Sequence, residues 1–529
     1  MIDYFLFLLF IFFFLFAGRG ITITLNYFLE NKYLIDEEKI FGIKLFYYFP
    51  IVGLFAIGNI AVIYNFINPI NQIFIILCLL LLLPNLVKKL DLKTLGAFVL
   101  KVSTISLPLL VGFTNVGLHY DAGLYHLNHQ FILKENKIIF GLSNLYDHYG
   151  FSSIMEYLHA IFWIDENVYF IKYFQMVFFL FLFLFLLENI ISSKIIMAKN
   201  IVFLTALYML LDNFGFGGGL NGTPNIQGVT KFDSIFSIVF FISVFMYFVA
   251  MKKNSYSPNE FRMLLLFVLL ASQIRPTGII LFILILSLVL KYKVGIKKIV
   301  FHNFLLFGVY LSWVIKNIIS TGCIYFPLAI SCLDSLKWSS KEGAVSVSNN
   351  SKSYFLNSSY EQELSMQVLQ NVFFSLSIIF LIILFLKIKQ KTKVNFDILF
   401  IVFSLVNIYL FLNIIPSSRF FGGFYLSLIP GLYYLLSSDS KLIFSKIIAV
   451  TLVIFSLILI PTITQYSKYQ PFDTTDKVLT PVKVEYLIYS DSTFVSPKDS
   501  DTCWVNPDCI PYQTYPDKIS FFNYTMFVK

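Results

Sequence analysis

Charged residues are scarce in this chain of 529 residues: Asp, Glu, Lys and Arg make up 13% of it, whereas 58% is hydrophobic. The few charges cluster in short segments between apolar runs of near-spanning length, so we predict a polytopic membrane protein. The net charge of +9 does not indicate a nucleic-acid partner. Lys residues that stand between apolar runs set the orientation of a membrane protein.

Cysteine is also rare, and the common zinc motifs are absent: neither CxxC nor HExxH occurs. Four of the five cysteines form two close pairs, Cys323 with Cys332 and Cys503 with Cys509. Both pairs fall in segments that we place outside the membrane, where an oxidising compartment such as the bacterial periplasm permits disulfides. Free thiols are the alternative.

The first apolar run lacks the features of a cleaved signal peptide. Asp3 stands where a basic segment is needed, and no small-x-small cleavage site follows. We predict a retained membrane helix over residues 3–17, followed by a polar segment of mixed charge over residues 18–44.

The apolar runs predict an all-α bundle of about fourteen membrane helices. They lie at residues 3–17, 44–66, 72–87, 94–116, 168–189, 200–213, 232–250, 262–274, 277–291, 298–316, 366–387, 397–413, 420–436 and 442–462. The pair at 262–274 and 277–291 is too short to cross about 30 Å of hydrocarbon twice, at about 1.5 Å per residue. We therefore expect a broken hairpin around Arg275, buried in the protein.

The chain divides into three predicted units: amino-terminal membrane helices at 1–93, a main membrane domain at 94–462, and a small irregular tail at 463–529. The basic run at 88–93 belongs in the cytoplasm by the positive-inside rule. The amino terminus, the loop at 117–167 and the tail then face the outside. The expected location is a bacterial inner membrane, with this loop on the periplasmic side.

Ionisable residues concentrate in and around that loop. Five of the six histidines lie there, His119, His126, His129, His148 and His159, together with Asp121, Asp147 and Glu156. Such a density beside a membrane indicates a functional site.

Two amphipathic helices are predicted in the loop. One covers residues 122–134 and lies along the membrane surface, with His126 and His129 on its polar side. The other opens at Ser153 with capping-box spacing to Glu156, which shares its polar face with His159. Together they would form a water-filled pocket beside a lipid-accessible groove.

Each candidate in the loop has an alternative. Asp121 follows directly on an apolar helix, so it could be an ordinary N-cap. His126 and His129, at i and i+3, could join Asp121 and His148 around a divalent cation. We expect no cofactor, with the divalent cation as the open possibility. A formal GxGxxG within residues 215–222 lacks the βαβ context of a dinucleotide site.

Three cationic positions fall at the same predicted outer boundary as Asp121: Arg275, Lys316 with its neighbour Asn317, and Arg419. The positive-inside rule does not explain cations there. Arg can grip a phosphate with two parallel hydrogen bonds. The alternative is that these side chains extend toward lipid headgroups.

Several motifs in this order resemble a family of bacterial multi-spanning proteins related to the GT-C glycosyltransferases. The motifs are Tyr120-Asp121-Ala122-Gly123-Leu124-Tyr125-His126, Gly141-Leu142-Ser143-Asn144-Leu145, Arg275-Pro276-Thr277-Gly278, Trp313-x-x-Lys316-Asn317-x-x-x-Thr321-Gly322-x-x-Tyr325-Phe326-Pro327 and Pro416-x-x-Arg419-Phe420. The resemblance runs from about residue 94 to 437 and implies a GT-C-like fold.

The resemblance also implies an inverting transferase that uses a polyprenyl-phosphate or polyprenyl-diphosphate donor and a glycan or lipid acceptor. Asp121 matches the acidic catalytic residue of an outer loop. The predicted substrate-binding residues are Tyr120, Tyr125, His126, His129, Asp147, His148, Arg275, Lys316, Asn317 and Arg419. A polysaccharide polymerase or ligase, and a transporter or flippase for lipid-linked glycans, are the alternative functions.

Overall fold

The computed structural model describes most of the chain. The described residues are 2–28, 39–114, 118, 121–163, 168–215, 230–253, 255–357, 397–413, 422–436, 445–465, 484–489, 492–498, 516–521 and 523–528. The predicted helix at 366–387 lies outside them.

The described chain is mostly helical. In order, its helices are α1 (Ile2–Phe28), α2 (Phe49–Asn65), α3 (Gln72–Leu80), α4 (Leu92–Thr114), α5 (Leu127–Glu135), α6 (Leu142–Leu145), α7 (Ile154–Ile161), α8 (Lys172–Ser192), α9 (Ile196–Gly215), α10 (Asp233–Lys252), α11 (Pro258–Ile274), α12 (Phe282–Tyr292), α13 (Ile296–His302), α14 (Phe304–Thr321), α15 (Lys341–Asn357), α16 (Asp397–Asn413), α17 (Gly422–Leu436) and α18 (Lys446–Gln465). A π-helical turn, Ala122–His126, precedes α5. The 3₁₀ turns Asp147–Phe151 and Pro276–Leu281 precede α7 and α12.

The described strands form three antiparallel hairpins. They are β1 (Lys39–Ile40) with β2 (Ile43–Lys44), β3 (Val484–Tyr489) with β4 (Ser492–Pro497), and β5 (Asp517–Phe521) with β6 (Tyr524–Val528). The prediction of an irregular tail is therefore wrong for its described parts. The residues of β6 combine aromatic and β-branched types, which favour strands, and Asn523 supplies the positive φ of the turn.

Six described helical segments are long and apolar enough to cross a membrane by length and composition: Ile2–Phe28, Leu45–Asn65, Leu92–Leu110, Tyr169–Ser192, Asp233–Lys252 and Phe304–Thr321. A pair bent by 120°, Pro276–Tyr292 with Ile296–His302, is a seventh candidate if both parts form one span. Shorter apolar helices lie at Gln72–Leu86, Ile196–Leu210, Leu399–Leu410 and Lys446–Ile458. These spans fit a membrane protein; the number fourteen stays a prediction.

Helix α1 is longer than predicted, because it continues through residues assigned to a polar segment. Arg19, whose charge suggested that the apolar helix had ended, is buried. Its guanidinium donates to Asn85 Oδ1 at 2.9 Å and to the backbone carbonyls of Lys88 and Lys89 at 3.3 and 3.2 Å. Since these acceptors satisfy the charge inside the protein, the helix continues past it.

Helices α1 and α2 cross with their backbones in close contact. A Cβ added to Gly18 would lie 2.1 Å from the carbonyl oxygen of Phe49, and one added to Gly53 would lie 2.2 Å from that of Phe14. Small residues at such a crossing allow two helix backbones to approach. The crossing belongs to a continuous hydrophobic core that extends from Phe7 to Leu457.

Ion pairs mark two ends of the bundle. Where α1 begins, Asp3 Oδ1 lies 3.2 Å from the Lys172 ammonium at the start of α8. Between α10 and α11, Glu260 pairs with Lys253 at 2.5 Å and accepts a hydrogen bond from the backbone N–H of Phe41 at 3.0 Å. The amino terminus and the connection that leads into α8 therefore share one end of the bundle.

Candidate functional site

Asp121 begins the π-helical turn that leads into α5, and its side chain does not cap that turn. Its Oδ2 contacts the Lys231 ammonium instead, and it accepts a hydrogen bond of 3.4 Å from the Tyr125 hydroxyl. Contact with an ammonium favours the ionised form of a carboxylate. The Asp121 side chain is 18% exposed, so the carboxylate lies at a partly open position.

A second ion pair starts two residues after Lys231. Asp233 opens α10, and its Oδ1 contacts the Arg275 guanidinium. Arg275 lies where α11 ends and the turn Pro276–Leu281 begins, so the predicted break is present. Arg275, which the sequence analysis places at the same outer boundary as Asp121, contacts Asp233, whereas Asp121 contacts the Lys231 ammonium. Residues 231–233 hold both pairs side by side.

A buried carboxylate lies between two imidazoles beneath this region. The Glu156 carboxylate accepts a hydrogen bond from His126 Nδ1 at 2.8 Å through one oxygen and contacts His129 Nδ1 through the other. The predicted capping box is also present, since Ser153 N–H donates to Glu156 and Ser153 Oγ accepts from Met155 N–H. Helices α5 and α7 are thus joined through one acidic side chain.

The predicted amphipathic surface helices do not have a water-facing polar side. His126, His129, Glu156 and His159 are all buried in the described structure, because α5 and α7 pack with their polar faces toward each other. Polar groups in such a position must satisfy one another. The cluster is therefore a buried polar layer, and the expectation of a water-filled pocket at these side chains is wrong.

Burial shifts the protonation equilibria of this layer. It lowers the pKa of His126, although the bond to Glu156 opposes the shift. Burial alone would raise the pKa of Glu156, but the charge of His129 and the hydrogen bonds from both imidazoles outweigh it and hold that pKa well below its usual range. The pKa of His159 falls to about 3 because of burial and the neighbouring His126.

The half-buried residues around Asp121 are aromatic and acidic. The His148 ring stacks on Tyr146 at 4.8 Å between centroids and lies 5.2 Å from the Tyr125 ring. Burial lowers the pKa of His148, opposed by the nearby charges of Asp147 and Asp121. Tyr125, Asp147 and His148 keep intermediate exposure, so these three predicted binding residues lie at the open part of the site.

Lys316 and Asn317 lie deeper, on α14. The Lys316 ammonium stands over the Trp313 ring at 4.7 Å and the Tyr157 ring at 5.8 Å, and it donates to Asn317 Oδ1 at 3.4 Å. Lys316 is 1% exposed. It therefore does not belong to the open set formed by Asp121 and Arg275.

The segment that follows α14 carries a disulfide between Cys323 and Cys332, the first of the two predicted pairs. In this segment, Phe326 packs against Gly150, and its ring lies 5.5 Å from the Phe151 ring. Gly150 and Phe151 belong to the same 3₁₀ turn as His148. Tyr120, Arg419, Cys503 and Cys509 lie outside the described residues.

In the described ranges, no three His, Cys, Asp or Glu side chains are arranged so that they could hold a metal ion. His126 and His129 both direct Nδ1 to Glu156. The divalent-cation alternative for these two imidazoles with Asp121 and His148 has no ligand set in this part of the chain.

Sequence reasoning missed Lys231 and Asp233, and it underrated Glu156. Lys231 is a cation at the predicted outer end of an apolar helix, the same feature that singled out Arg275. Asp233 is the first residue of α10, and an acidic residue there is sufficiently explained by its favourable interaction with the helix dipole. The capping-box spacing accounts for Glu156 as a helix-opening residue, and it does not predict the contact of Glu156 with His129 of α5.

A family model described as Domain of unknown function (DUF8201) matches residues 1–426. No curated protein and no solved structure matches the chain.

Proposed function

We propose that this chain, which belongs to the DUF8201 family, is an inverting membrane glycosyltransferase of about fourteen spans with a GT-C-like fold. It would transfer a sugar or glycan from a polyprenyl-phosphate or polyprenyl-diphosphate carrier to a glycan or lipid acceptor, in cell-surface polysaccharide assembly. The site would face the periplasm from a bacterial inner membrane.

One observation carries the proposal: the partly open Asp121 carboxylate contacts Lys231, and the partly open Arg275 guanidinium contacts Asp233, two residues further along the chain. A base and a phosphate-binding cation are the two groups that the reaction needs. The contact with the Lys231 ammonium favours the carboxylate form of Asp121, which is the form that a general base requires.

In the proposed step, the acceptor hydroxyl oxygen attacks the anomeric carbon of the donor. The bond from that carbon to the carrier phosphate oxygen breaks, and its electron pair stays on the phosphate. Asp121 takes the hydroxyl proton, which requires the hydroxyl to lie within about 3 Å. Arg275 stabilises the charge that develops on the departing phosphate. Tyr125, Asp147 and His148 border the space for the acceptor.

The test replaces Asp121 by Asn in a strain that depends on the gene for its surface polysaccharide. We expect loss of the polysaccharide and accumulation of the lipid-linked donor, with unchanged protein level and thermal stability. The matched control is Asp334→Asn, since Asp334 is an exposed aspartate paired with Lys341 at 2.7 Å.

Full polysaccharide synthesis by Asp121→Asn would overturn the assignment of the base. The position of the accumulated lipid separates the alternatives. Donor trapped on the cytoplasmic side identifies a flippase, whereas short lipid-linked repeat units on the outer side identify a polymerase or ligase.

A further inference from the structure

The Asp233–Arg275 pair is arranged by depth. The Asp233 side chain is 1% exposed and that of Arg275 is 23% exposed. An anion that approaches from the open side therefore meets the guanidinium, with the aspartate behind it. Asp233 is too deeply buried to be the first contact of such an anion, but its carboxylate contacts the Arg275 guanidinium.

The backbone that carries Asp233 is fixed by its neighbours. Phe232 is buried, and its ring lies 4.9 Å from His126 and 5.3 Å from His159 in the buried polar layer. The Asp233 carbonyl also accepts a hydrogen bond from Ser237 Oγ at 2.9 Å. The buried ring of Phe232 and the hydrogen bond within α10 therefore hold the backbone from which the Asp233 carboxylate extends.

The chemistry of the pair suits this role. A guanidinium carries five N–H donors in a planar fork, so a carboxylate held on one nitrogen sets the direction of the others. Arg275 stands at a break between helices, where regular backbone does not constrain it. Its orientation then depends on a side-chain partner.

We propose that Asp233 is a positioning residue that aims Arg275 at the phosphate of a prenyl carrier. This inference rests on the proposed function and extends it, since it names the group that places the phosphate-binding cation. It also explains why a buried carboxylate opens an apolar helix at this site.

The experiment measures binding of farnesyl phosphate to the full-length protein in nanodiscs, with inorganic phosphate and farnesol as separate probes. Asp233→Asn removes the charge that holds Arg275, and we expect farnesyl phosphate to bind about tenfold more weakly. Farnesol binding should not change, because the prenyl tail does not use this pair. Ser243→Ala is the control, since that buried hydroxyl of α10 donates to the backbone carbonyl of Val239 in its own helix.

The variant Arg275→Gln tests whether Asp233 acts through Arg275. A purely structural role of Asp233 would weaken binding whether or not Arg275 is present. We expect Arg275→Gln to weaken farnesyl phosphate binding, and Asp233→Asn to add no further loss in that background. Asp233→Glu moves the guanidinium by about one methylene and should weaken binding by about threefold. If Asp233→Asn does not fold, Asp233→Glu decides the question in the same assay.

The outcomes separate the two claims. Weakened binding in Arg275→Gln with wild-type binding in both Asp233 variants overturns the positioning role and leaves the phosphate site standing. Wild-type binding in Arg275→Gln removes the phosphate site and the positioning role together. Equal weakening of farnesol and farnesyl phosphate binding in the Asp233 variants also overturns the positioning role, since the substitutions then do not act on the phosphate headgroup. If inorganic phosphate binds as tightly as farnesyl phosphate, the site binds a free anion, and the proposal that its ligand is a prenyl carrier is overturned.

Discussion

At the scale of single residues, His159 shows what burial does to an ionisable group. Its ring lies 4.9 Å from the Phe174 ring and 5.3 Å from the Phe232 ring, and its Nδ1 lies 3.4 Å from Gln130 Nε2. The nearby ionisable groups are His126, which lowers the pKa of His159, and Glu156, which raises it. Such surroundings disfavour the imidazolium, which is why the pKa of His159 falls to about 3.

A lowered histidine pKa makes stability depend on pH with a definite sign. The unfolded chain takes up a proton at His159 below about pH 6.5, whereas the folded protein does so only near pH 3. The stability that neutral His159 contributes is therefore present above pH 6.5 and is lost as the pH falls. Between pH 7 and pH 5 the loss is about 2 kcal/mol.

We predict that His159→Phe flattens this acid-side decline. The substitution keeps a planar ring between two phenylalanines and removes the titrating nitrogens. The measurement is Tm in detergent at pH 7 and pH 5, and the comparison uses the difference between the two, since the substitution also shifts absolute stability. His302→Phe is the control for loss of a histidine. An unchanged difference in His159→Phe would contradict the burial argument.

At the scale of helices, the crossing of α1 and α2 depends on residues without a side chain. In a helix, alanine is more favourable than glycine by about 1 kcal/mol. A Gly→Ala substitution at a helix position with free space around it should therefore stabilise the protein. At Gly53 a Cβ would meet the Phe14 carbonyl oxygen at 2.2 Å. Backbone atoms of a packed helix cannot yield without separating the pair.

We predict opposite signs for two substitutions of the same kind. Gly53→Ala should destabilise the protein by about 1–3 kcal/mol through overpacking. Gly96→Ala, in α4, should be neutral or stabilising by up to about 1 kcal/mol, because among the described residues no atom beyond the neighbouring backbone of α4 lies within 4 Å of its Cβ position. Tm values of the two variants in one detergent test this. Equal shifts would show that close packing does not govern the crossing.

At the scale of the whole molecule, the last described hairpin closes onto the histidine-rich region. The Phe140 N–H donates to Thr525 O at 3.0 Å, and the Phe527 N–H donates back to Phe140 O at 2.9 Å. Asn144 Nδ2 reaches Phe527 O at 3.0 Å across a sequence separation of 383 residues. Gly141, at φ +63°, leaves room for that strand, since a Cβ would lie 2.3 Å from Phe527 O.

We predict that removal of residues 517–529 loosens the region between α5 and α7 without unfolding the bundle. The hairpin bonds Phe140 and Asn144, whereas the core of α1, α8 and α10 does not contain it. Limited proteolysis should then cut near residues 136–146, and Tm should fall by several degrees. Proteolysis indistinguishable from that of the full chain would show that the hairpin does not support the site.

The sequence by itself determined the helical elements and the region of the site. The length of an apolar run and the polar residues that separate two runs are local properties of the sequence. Most predicted helices therefore coincide with described ones to within a few residues. The capping box at Ser153 and the break at Arg275 were equally local. The end of α1 was misjudged because Arg19 is satisfied by Asn85 and by carbonyls near residue 88, and those acceptors are distant in the chain.

Only the tertiary structure decided which polar groups meet. Asp121 and Lys231 are 110 residues apart, Asp233 and Arg275 are 42 apart, and His126 and Glu156 are 30 apart. A polar side chain pattern on one helix does not specify whether water or another helix covers it. Burial of a charge is favourable only when a partner is present, and the partner is supplied by packing.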